Sequence, residues 1–433
     1  MRSTCPTSWH VSELNDIAEL RAFGPLWGHL MERTPVPSYV QSLEFLRAFW
    51  SVVGAGRRLR VVLAHENAEV VNAWPLATVA PHGSITGLRW LTHATPEFAI
   101  WSGAVGAPSI TAIKAALQYL TGSVRDWDVL ELFSRSKDVS EPSALDAAFR
   151  AAGLRATHVP LGFVAFVDCR GDHRSYWKQR PISYRRRLAQ CTEQLQGHAR
   201  LRYLRARSGE PGDEPLRSAD GWLAVCRDLI AGQEGTGGRS AVARRANGKR
   251  QLTVGSDRDA GSGLAASNRQ TVTEDIGQRY RPIVQPPFRL VAELHETASN
   301  DRAVDWNVLT LDDRAAAFVY SYVWNGHVQV VCSGQRSGPD GQAAMALLIA
   351  RMIEDSFRRG DQSVHLGPGL FGAAQGAQTT TLLLSRWVFC SRRTFRGRVA
   401  RLKLRPKKTM VGSMVLEGTR EVGYGLELDR EQE

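Results

Sequence analysis

The chain has 433 residues, of which 43% are hydrophobic and 23% are charged, with a formal net charge of +12 and a pI near 9.7. This length exceeds one ordinary hydrophobic core, so two or three domains are expected. No run of eighteen apolar residues occurs and the first residues lack the apolar segment of a signal peptide, so we expect no membrane span and a cytoplasmic location.

The six cysteines are scattered singly along the chain. None forms a Cys-x-x-Cys pair, and no neighbouring histidine completes a zinc-binding pattern. We therefore expect neither a disulfide framework nor a bound metal.

The basic residues are concentrated in two segments. Residues 392–408 contain nine basic residues and no acidic ones, and residues 174–187 contain six basic residues. Such segments favour anionic partners such as nucleotides, coenzymes, nucleic acid or acidic glycans. A solvated, arginine-rich surface without a partner is the alternative.

The first part of the chain predicts a mixed pattern of helices, a hairpin and a strand. Apolar spacing predicts the helices, the first of which has a candidate cap at Ser12, and two apolar runs around the turn His65–Ala68 predict the hairpin. In chain order the predicted elements are a helix from Ser12, a helix over 39–53, a hairpin over 59–81, a helix over 110–120, a strand over 127–133 and a helix over 143–153.

The middle of the chain contains a strand, a basic segment and a glycine-rich stretch. The strand covers 163–170, and a helix is predicted from about Ser183. The basic segment is either an anion or RNA contact, with aromatic residues among the arginines, or a connecting helix that packs its apolar side inward; we favour the connecting helix. Residues 207–268 predict a long exposed loop with one packed helix, Trp222–Ile230.

The last part of the chain returns to regular structure. Residues 288–297 fit a strand or a short helix, and three strands follow with turns at Asp312–Asp313 and Asn325–Gly326. The third strand begins a unit at Val328–Gly369, made of a strand, a loop, a helix over 342–359 that ends at Gly360, and a strand over 363–366. A loop before a helix N-terminus suits a phosphate-bearing ligand, although most such units bind nothing.

Five stretches of the sequence resemble a known family: residues 9–56, VVNAWPLA at 70–77, WDVLELF at 127–133, ISYRRRLAQCTEQLQG at 182–197, and the unit at 328–369. The chain resembles the GNAT-type acyltransferases of the cellulose-biosynthesis-associated (CelD-like) group, whose architecture is related to the tandem GNAT domains of FemAB-like peptidyltransferases. The resemblance implies an α/β (α+β) fold with two tandem GNAT-like domains, each a twisted mixed sheet flanked by helices.

We therefore expect five regions. They are an N-terminal GNAT-like domain over 1–165, a connecting strand and basic helix over 166–206, a Gly/Arg-rich flexible insert with one short helix over 207–270, a C-terminal GNAT-like domain over 271–391 and a basic tail over 392–433.

The resemblance also implies an acyl-CoA site in the loop before the long helix of the second half, at Gln335, Arg336, Gly338, Gly341 and Gln342. Two departures from the family pattern occur near it. Pro339 lacks an amide donor, and Asp340 brings a negative charge to the phosphate position, although it could instead cap the helix. Where the family has Asp-Phe-Gly-x-Gly followed by a Tyr-Lys pair, this chain has His365-Leu-Gly-Pro-Gly369 and no Tyr-Lys.

Acyl transfer to an amine needs a general base, and an acid can protonate the leaving group. Glu293, His295, Glu296 and His365 are candidate bases, and Tyr320 and Tyr322 are candidate acids; among these we select Glu293, His365 and Tyr322. The sequence leaves three functions open. They are N-acyl transfer from acyl-CoA to an amine on a small molecule, sugar or peptide, FemAB-like aminoacyl transfer from a charged tRNA, and a non-catalytic scaffold in polysaccharide synthesis or export.

Overall fold

The structure is a computed structural model that describes residues 8–79, 87–107, 109–122, 126–136, 143–211, 219–237, 286–367, 370 and 372–403. Its strands are β1 (Trp9–Leu14), β2 (Arg58–Glu66), β3 (Glu69–Val79), β4 (Trp90–His93), β5 (Val105–Gly106), β6 (Val129–Ser136), β7 (Thr157–Asp168), β8 (Leu201–Arg207), β9 (Val304–Leu311), β10 (Arg314–Trp324), β11 (His327–Gln335), β12 (Ser363–His365) and β13 (Thr380–Cys390). Its α-helices are α1 (Gly24–Glu32), α2 (Leu43–Val53), α3 (Ile110–Gly122), α4 (Ala144–Ala151), α5 (His173–Lys178), α6 (Ile182–Leu195), α7 (Ala219–Gly237), α8 (Phe288–Asn300), α9 (Pro339–Arg359) and α10 (Phe395–Lys403).

The described strands form one continuous sheet in the order β1-β2-β3-β4-β6-β13-β7-β12-β11-β10-β9-β8, and β5 pairs with β3. Strands from the two ends of the chain therefore alternate at its centre. β13 lies between β6 and β7, and β7 lies between β13 and β12. Each half of the chain thus contributes one strand that is flanked by strands of the other half.

Each half contains one parallel strand pair joined by a helix that crosses over. β4 and β6 are parallel and are connected through α3, whereas β11 and β12 are parallel and are connected through α9. The predicted mixed sheets flanked by helices are confirmed, with the sheets of the two halves joined edge to edge. The domain boundary predicted at residue 165 falls inside β7, and the division into domains remains a prediction.

Three hairpins use two-residue turns with left-handed backbone conformations. The turns Asn67–Ala68, Asp312–Asp313 and Asn325–Gly326 have positive φ at both residues, between 46° and 75°. Asn, Asp and Gly tolerate this conformation, and such turns match the right-handed twist of the strands they join. All three hairpins predicted from the sequence are confirmed.

The helix predicted from Ser12 begins too early, because Trp9–Leu14 is the strand β1 and the α-helix of this stretch, α1, starts at Gly24. β1 pairs with β2 in antiparallel register. This pairing brings Glu13 to Arg60, whose Nε and Nη2 atoms each donate to the Glu13 carboxylate at 2.6 Å. Because the Arg60 side chain is buried, its carboxylate partner is costly to remove, and this long-range pairing overrides the local helical spacing.

Residues 288–297 belong to a helix, α8, and not to a strand. Its buried residues Leu290, Val291, Leu294 and Ala298 lie on one helical face. The basic segment forms α5 and α6, and Tyr184, Leu188 and Leu195 pack inward as in the favoured reading. Trp222 and Leu229 are buried in α7, while most of the predicted 207–270 insert lies outside the described residues.

The second half of the sheet is covered on both faces. One face of β10 and β11 packs against α2, α7 and α8, with Phe318, Tyr320 and Val331 in that core. The opposite face packs against α6 and α9, with Val319 and Val330 in that core. The described part of the chain contains no helix that is long and apolar enough to cross a membrane.

Candidate active site

A cavity of about 620 Å³ lies over the centre of the sheet, where strands of the two halves meet. Its base is formed by residues of β6, β13, β7, β12 and β11, and the loops 34–36 and 99–106 contribute to its walls. This volume is in the range of small-molecule sites, in which a few polar groups fix the ligand within a mainly apolar lining. The polar lining residues that bear on chemistry are His93, Arg135, Asp168, Arg170, His327, Ser363 and His365.

His365 lies in β12, opposite Phe166 of β7 and Gln329 of β11. Only 1% of its surface is exposed, and neither ring nitrogen has a hydrogen-bond partner among the described residues. The ring is held by aromatic packing, edge-on to Phe166 at 4.6 Å and to Trp101 at 5.8 Å between centroids. Both nitrogens of this buried imidazole therefore have unused hydrogen-bonding capacity at the cavity lining.

The charge state of His365 follows from its surroundings. Burial lowers the pKa of His365 well below its usual range, and the nearby charge of Arg135 lowers it further; His327 adds to this effect only when it is protonated. The ring is therefore neutral at physiological pH. A neutral imidazole can accept a proton, which is the property a general base requires.

His327 and Ser363 form a second polar pair in the cavity lining. They are directly opposite in the parallel pair β11–β12, and Nδ1 of His327 lies 2.7 Å from Oγ of Ser363. Burial lowers the pKa of His327, followed by the charges of Arg170 and Arg135. This histidine is thus a neutral neighbour of His365 whose ring orientation is fixed by the serine.

Two arginines line the cavity in different states. Arg170 is bound by Asp168, with Nε at 2.9 Å from Oδ1 and Nη2 at 2.5 Å from Oδ2. Arg135 lies near the end of β6, 5.8 Å above the ring of Trp101, and its Nη1 atom is buried without a hydrogen-bond partner in the described part of the chain. The lining therefore contains one cation that is balanced by a carboxylate and one that is not.

His93 lies in the cavity wall that residues of the first half of the chain form. β4 and β6 are paired only at Trp90–Val129 and Leu91–Leu130, after which they diverge. His93 spans the gap because its Nε2 accepts the backbone N–H of Phe133 at 3.2 Å. The ring is 5% exposed, and burial lowers the pKa of His93 to about 4. The neutral ring is thus part of the wall.

The wall segment between α1 and α2 is fixed by hydrogen bonds to both halves. Ser38 donates its hydroxyl to Gln329 of β11, and Nε2 of Gln329 donates to the carbonyl of Pro37 at 3.2 Å. Nε2 of Gln41 donates to the carbonyl of Ala104 at 3.0 Å. Buried side-chain hydrogen bonds of this kind hold a wall in one conformation.

The predicted coenzyme loop lies at the other end of β11. None of Gln335, Arg336, Gly338, Gly341 and Gln342 is among the lining residues of the cavity. The position of β11 opposite His365 is Gln329, and six residues of extended strand to Gln335 correspond to roughly 20 Å. The structure therefore separates the predicted coenzyme loop from His365 by most of a strand.

The loop before α9 is open at Gly338. Gly338 has φ 97°, and no atom lies within 4 Å of the position that a Cβ would occupy there. Asp340 does not cap α9, because its carboxylate accepts from Nε2 of Gln194 at 2.8 Å and lies 3.4 Å from Nε2 of His198. The hydrogen bonds to Asp312 and Asp340 raise the pKa of His198. The amides at the start of α9 can thus face a ligand phosphate.

The other predicted catalytic residues lie away from the cavity. Glu293 is on the outer side of α8, where Arg289 donates to it at 2.8 Å. Tyr322 is fully buried and packs edge-on against Tyr39 at 5.2 Å. His295 is 3.0 Å from the hydroxyl of Tyr320 in the same core. Of the three selected residues, the structure brings only His365 to the cavity.

Sequence reasoning missed Arg135, His93, His327 and Ser363. The strand predicted over 127–133 ended two residues before Arg135. The strand predicted to begin the unit at Val328–Gly369 started just after His327. The sequence offered one indication of a role for Arg135: it is a charged residue that continues an apolar strand. Within the described residues, no group of three or more His, Cys, Asp or Glu side chains is placed to hold a metal ion.

Comparison with known proteins bears on the fold. Residues 239–373 match the family described as an acetyltransferase (GNAT) domain. Among solved structures, FemX is similar with a TM-score of 0.54 and 8% identity over 90% of this chain and 99% of that chain. The chain has a tandem GNAT fold.

Two further solved structures show lower similarity. A tandem GNAT protein from the clavulanic acid biosynthesis pathway has a TM-score of 0.43 and 10% identity over 89% of this chain and 100% of that one. A conserved protein of unknown function from Bacteroides thetaiotaomicron has a TM-score of 0.46 and 10% identity over 88% of this chain and 100% of that one. No curated protein matches the chain.

Proposed function

We propose that this protein is an N-acyltransferase that holds an amine-bearing acceptor in the central cavity and uses His365 as the general base. One observation carries the proposal: a buried, neutral imidazole with two unpartnered nitrogens lines a cavity of small-molecule size. A buried polar group without a partner is costly, so its retention in a packed aromatic setting favours a role with a ligand.

The proposed reaction needs little from the protein beyond placement and proton transfer. The amine nitrogen attacks the acyl carbon, the carbon–sulfur bond of the thioester breaks, and the proton lost by the amine passes to His365. An acyl-CoA bound at the loop 335–342 would supply the activated acyl group. Arg336 and the amides of Gly338 and Gly341 are the groups that would hold its phosphates.

The base is tested by replacing His365 while keeping the fold. In His365→Gln, the rate constant for N-acyl product formation, measured by mass spectrometry, should fall by roughly 10²-fold to 10⁴-fold. Acceptor binding measured by calorimetry should be largely kept, because the amide can still occupy the site. His29→Gln is the matched control, since His29 is an exposed histidine on α1. Full activity of His365→Gln would refute the assignment.

The donor site is tested by thermal shift with CoA, acetyl-CoA and longer acyl-CoAs. A bound ligand at 100 times its Kd should stabilise the folded protein by about 2.7 kcal/mol. The stabilisation should be lost in Gly338→Asp and in Arg336→Glu, which place negative charge at the loop, and kept in the control Arg21→Glu on the exposed surface. Equal stabilisation of all variants would place the coenzyme elsewhere, and no stabilisation of the wild type would contradict an acyl-CoA donor.

An aminoacyl-tRNA donor is the second candidate, and α10 is the observation that favours it. This helix carries Arg396, Arg398 and Arg401, and Phe395 before them is 80% exposed. Basic residues beside an exposed aromatic ring suit a nucleic-acid backbone and base. Arg396 and Arg398 each donate to a backbone carbonyl, of Gly87 and Arg392, and both remain exposed. Arg187 in the other basic segment donates to the carbonyls of Ala373 and Gln375. Binding of tRNA that weakens steeply with salt would support this donor over acyl-CoA.

A non-catalytic scaffold of the CelD-like group, acting in polysaccharide or envelope metabolism, is the third candidate. It is favoured by the histidine at position 365, where the family pattern has an aspartate. An intact fold that binds neither coenzyme nor tRNA and yields no acylated amine would support it. Product formation that depends on His365 would exclude it.

A further inference from the structure

The guanidinium of Arg135 has a buried Nη1 atom, and no carboxylate of the described residues forms an ion pair with it. Its Nη1 atom has no hydrogen-bond partner among the described residues, and the only aromatic ring recorded beneath its guanidinium is that of Trp101. Burial lowers the pKa of Arg135 to about 10, so the group still carries its charge at neutral pH. The desolvation of this charge is therefore left uncompensated by the fold.

Other buried arginines of this protein are compensated. Arg60 is bound to Glu13 and Asp126, Arg205 is bound to Asp305 and Asp355, Arg207 is bound to Asp305 and Asp361, and Arg386 is bound to Glu131. Arg180, which is also buried, donates instead to the backbone carbonyls of Ala377 and Gln378. Each of these arginines therefore has hydrogen-bond acceptors within the fold. Arg135 differs from them in lining the cavity.

The second arginine of the cavity, Arg170, would have to release Asp168 before it could bind an anion. Arg170 is bound by both carboxylate oxygens of Asp168 and is largely exposed. Among the described lining residues, an anion that enters the cavity therefore meets Arg135 as the cation that no carboxylate pairs with. It lies on the same cavity lining as His365, and the charge of Arg135 is felt at the His365 ring.

Building on the proposed function, we propose that Arg135 binds an anionic group of the acceptor, so that the preferred acceptor is an amine that also carries a carboxylate or a phosphate. The guanidinium can donate to two anion oxygens at once, which gives both affinity and orientation. The ring of Trp101, 5.8 Å from the guanidinium carbon, lies beneath the group on the side away from such an anion. The acceptor's anion would sit at Arg135 and its amine would sit at His365.

Matched acceptor pairs test this selectivity. L-lysine and cadaverine share one amine chain and differ in the carboxylate, and phosphoethanolamine and ethanolamine differ in the phosphate. By calorimetry, the preferred anionic member should bind about 10-fold to 100-fold more tightly than its neutral partner, which corresponds to roughly 1.4–2.8 kcal/mol. The pair with the larger ratio identifies the anion. Equal binding within both pairs would overturn the proposal.

Two substitutions separate recognition from folding. Arg135→Gln should reduce the ratio of the two Kd values within each acceptor pair to near one. Arg135→Lys should keep part of this preference because the charge remains. If Arg135 served only to stabilise the fold, its replacement would lower the melting temperature. Here the melting temperature of Arg135→Gln should be unchanged or higher, because an uncompensated buried charge is removed. A ratio that survives in Arg135→Gln would overturn the proposal.

The outcomes distinguish this proposal from the proposed acyl transfer. In His365→Gln the preference for anionic ligands should persist while product formation is lost. Anion-selective binding that depends on Arg135, with no acyl transfer from any donor, would leave the recognition site standing and remove the catalytic function. Acyl transfer that is indifferent to the acceptor's anion and to Arg135→Gln would remove the recognition site and keep the catalytic function.

Discussion

Acid should destabilise this protein through His93, and the structure gives the size of the effect. The ring is buried, and its Nε2 accepts the backbone N–H of Phe133, so protonation breaks a bond across the divergence of β4 and β6. The pKa of His93 is 6.5 in a free chain and about 4 in the fold. As pH falls below 6.5 the unfolded chain therefore binds a proton that the folded chain does not bind.

This proton uptake lowers the free energy of unfolding as pH falls. Linkage gives a loss of about 2 kcal/mol between pH 7 and pH 5, and the loss approaches roughly 3 kcal/mol once the pH is below 4. His93→Gln removes the titrating group, and the side-chain oxygen of glutamine can still accept from Phe133. The variant should therefore lose about 2 kcal/mol less than the wild type over the same interval.

Urea unfolding at a series of pH values, followed by tryptophan fluorescence, measures this difference. Other acid-sensitive groups are common to both proteins. The difference between their slopes of unfolding free energy against pH therefore reports His93 alone. His29→Gln, at an exposed histidine, should follow the wild type. Identical slopes for His93→Gln and the wild type between pH 7 and pH 5 would refute the reasoning.

Two further substitutions test the buried charges and the predicted coenzyme loop. Asp305→Asn should lower the free energy of unfolding in urea by about 3–5 kcal/mol, because the fully buried carboxylate binds both Arg205 and Arg207; a loss below about 1 kcal/mol would contradict this. Gly341→Ala would place a Cβ 1.9 Å from the carbonyl oxygen of Arg336, so the loop must move. We expect a cost of about 1–3 kcal/mol in thermal denaturation, and an unchanged melting temperature would show that the loop adapts freely.

Local signals in the sequence were sufficient for the hairpins and for α9. Asn-Gly and Asp-Asp turns determine the backbone conformation within two residues, and Gly360 ends α9 with φ 77°. The prediction for the first segment failed because residues distant in the sequence determine its conformation. β1 is a strand because it pairs with β2 and supplies Glu13 to the buried Arg60, and neither interaction is visible in a local pattern.

The candidate site was only partly predictable for the same reason. His365 was noticed because it ends a short strand after a long helix. Its neighbours come from distant parts of the sequence: Phe166 in β7, Trp101 in a first-half loop and Arg135 near the end of β6. Pairing of β12 with β7 creates this neighbourhood, and one sequence contains no direct signal for that pairing.

The strand exchange explains why the cavity lies at the centre of the sheet. Ser136 of β6 pairs with Leu383 of β13, and Phe166 of β7 pairs with both Thr380 of β13 and His365 of β12. The cavity floor therefore needs β13, a strand from the second half of the chain, to pair with strands of the first half. If the two proposals hold, the base comes from one half and the anion-binding arginine comes from the other. Neither half alone would then carry a complete acceptor site, which gives the shared sheet a direct functional consequence.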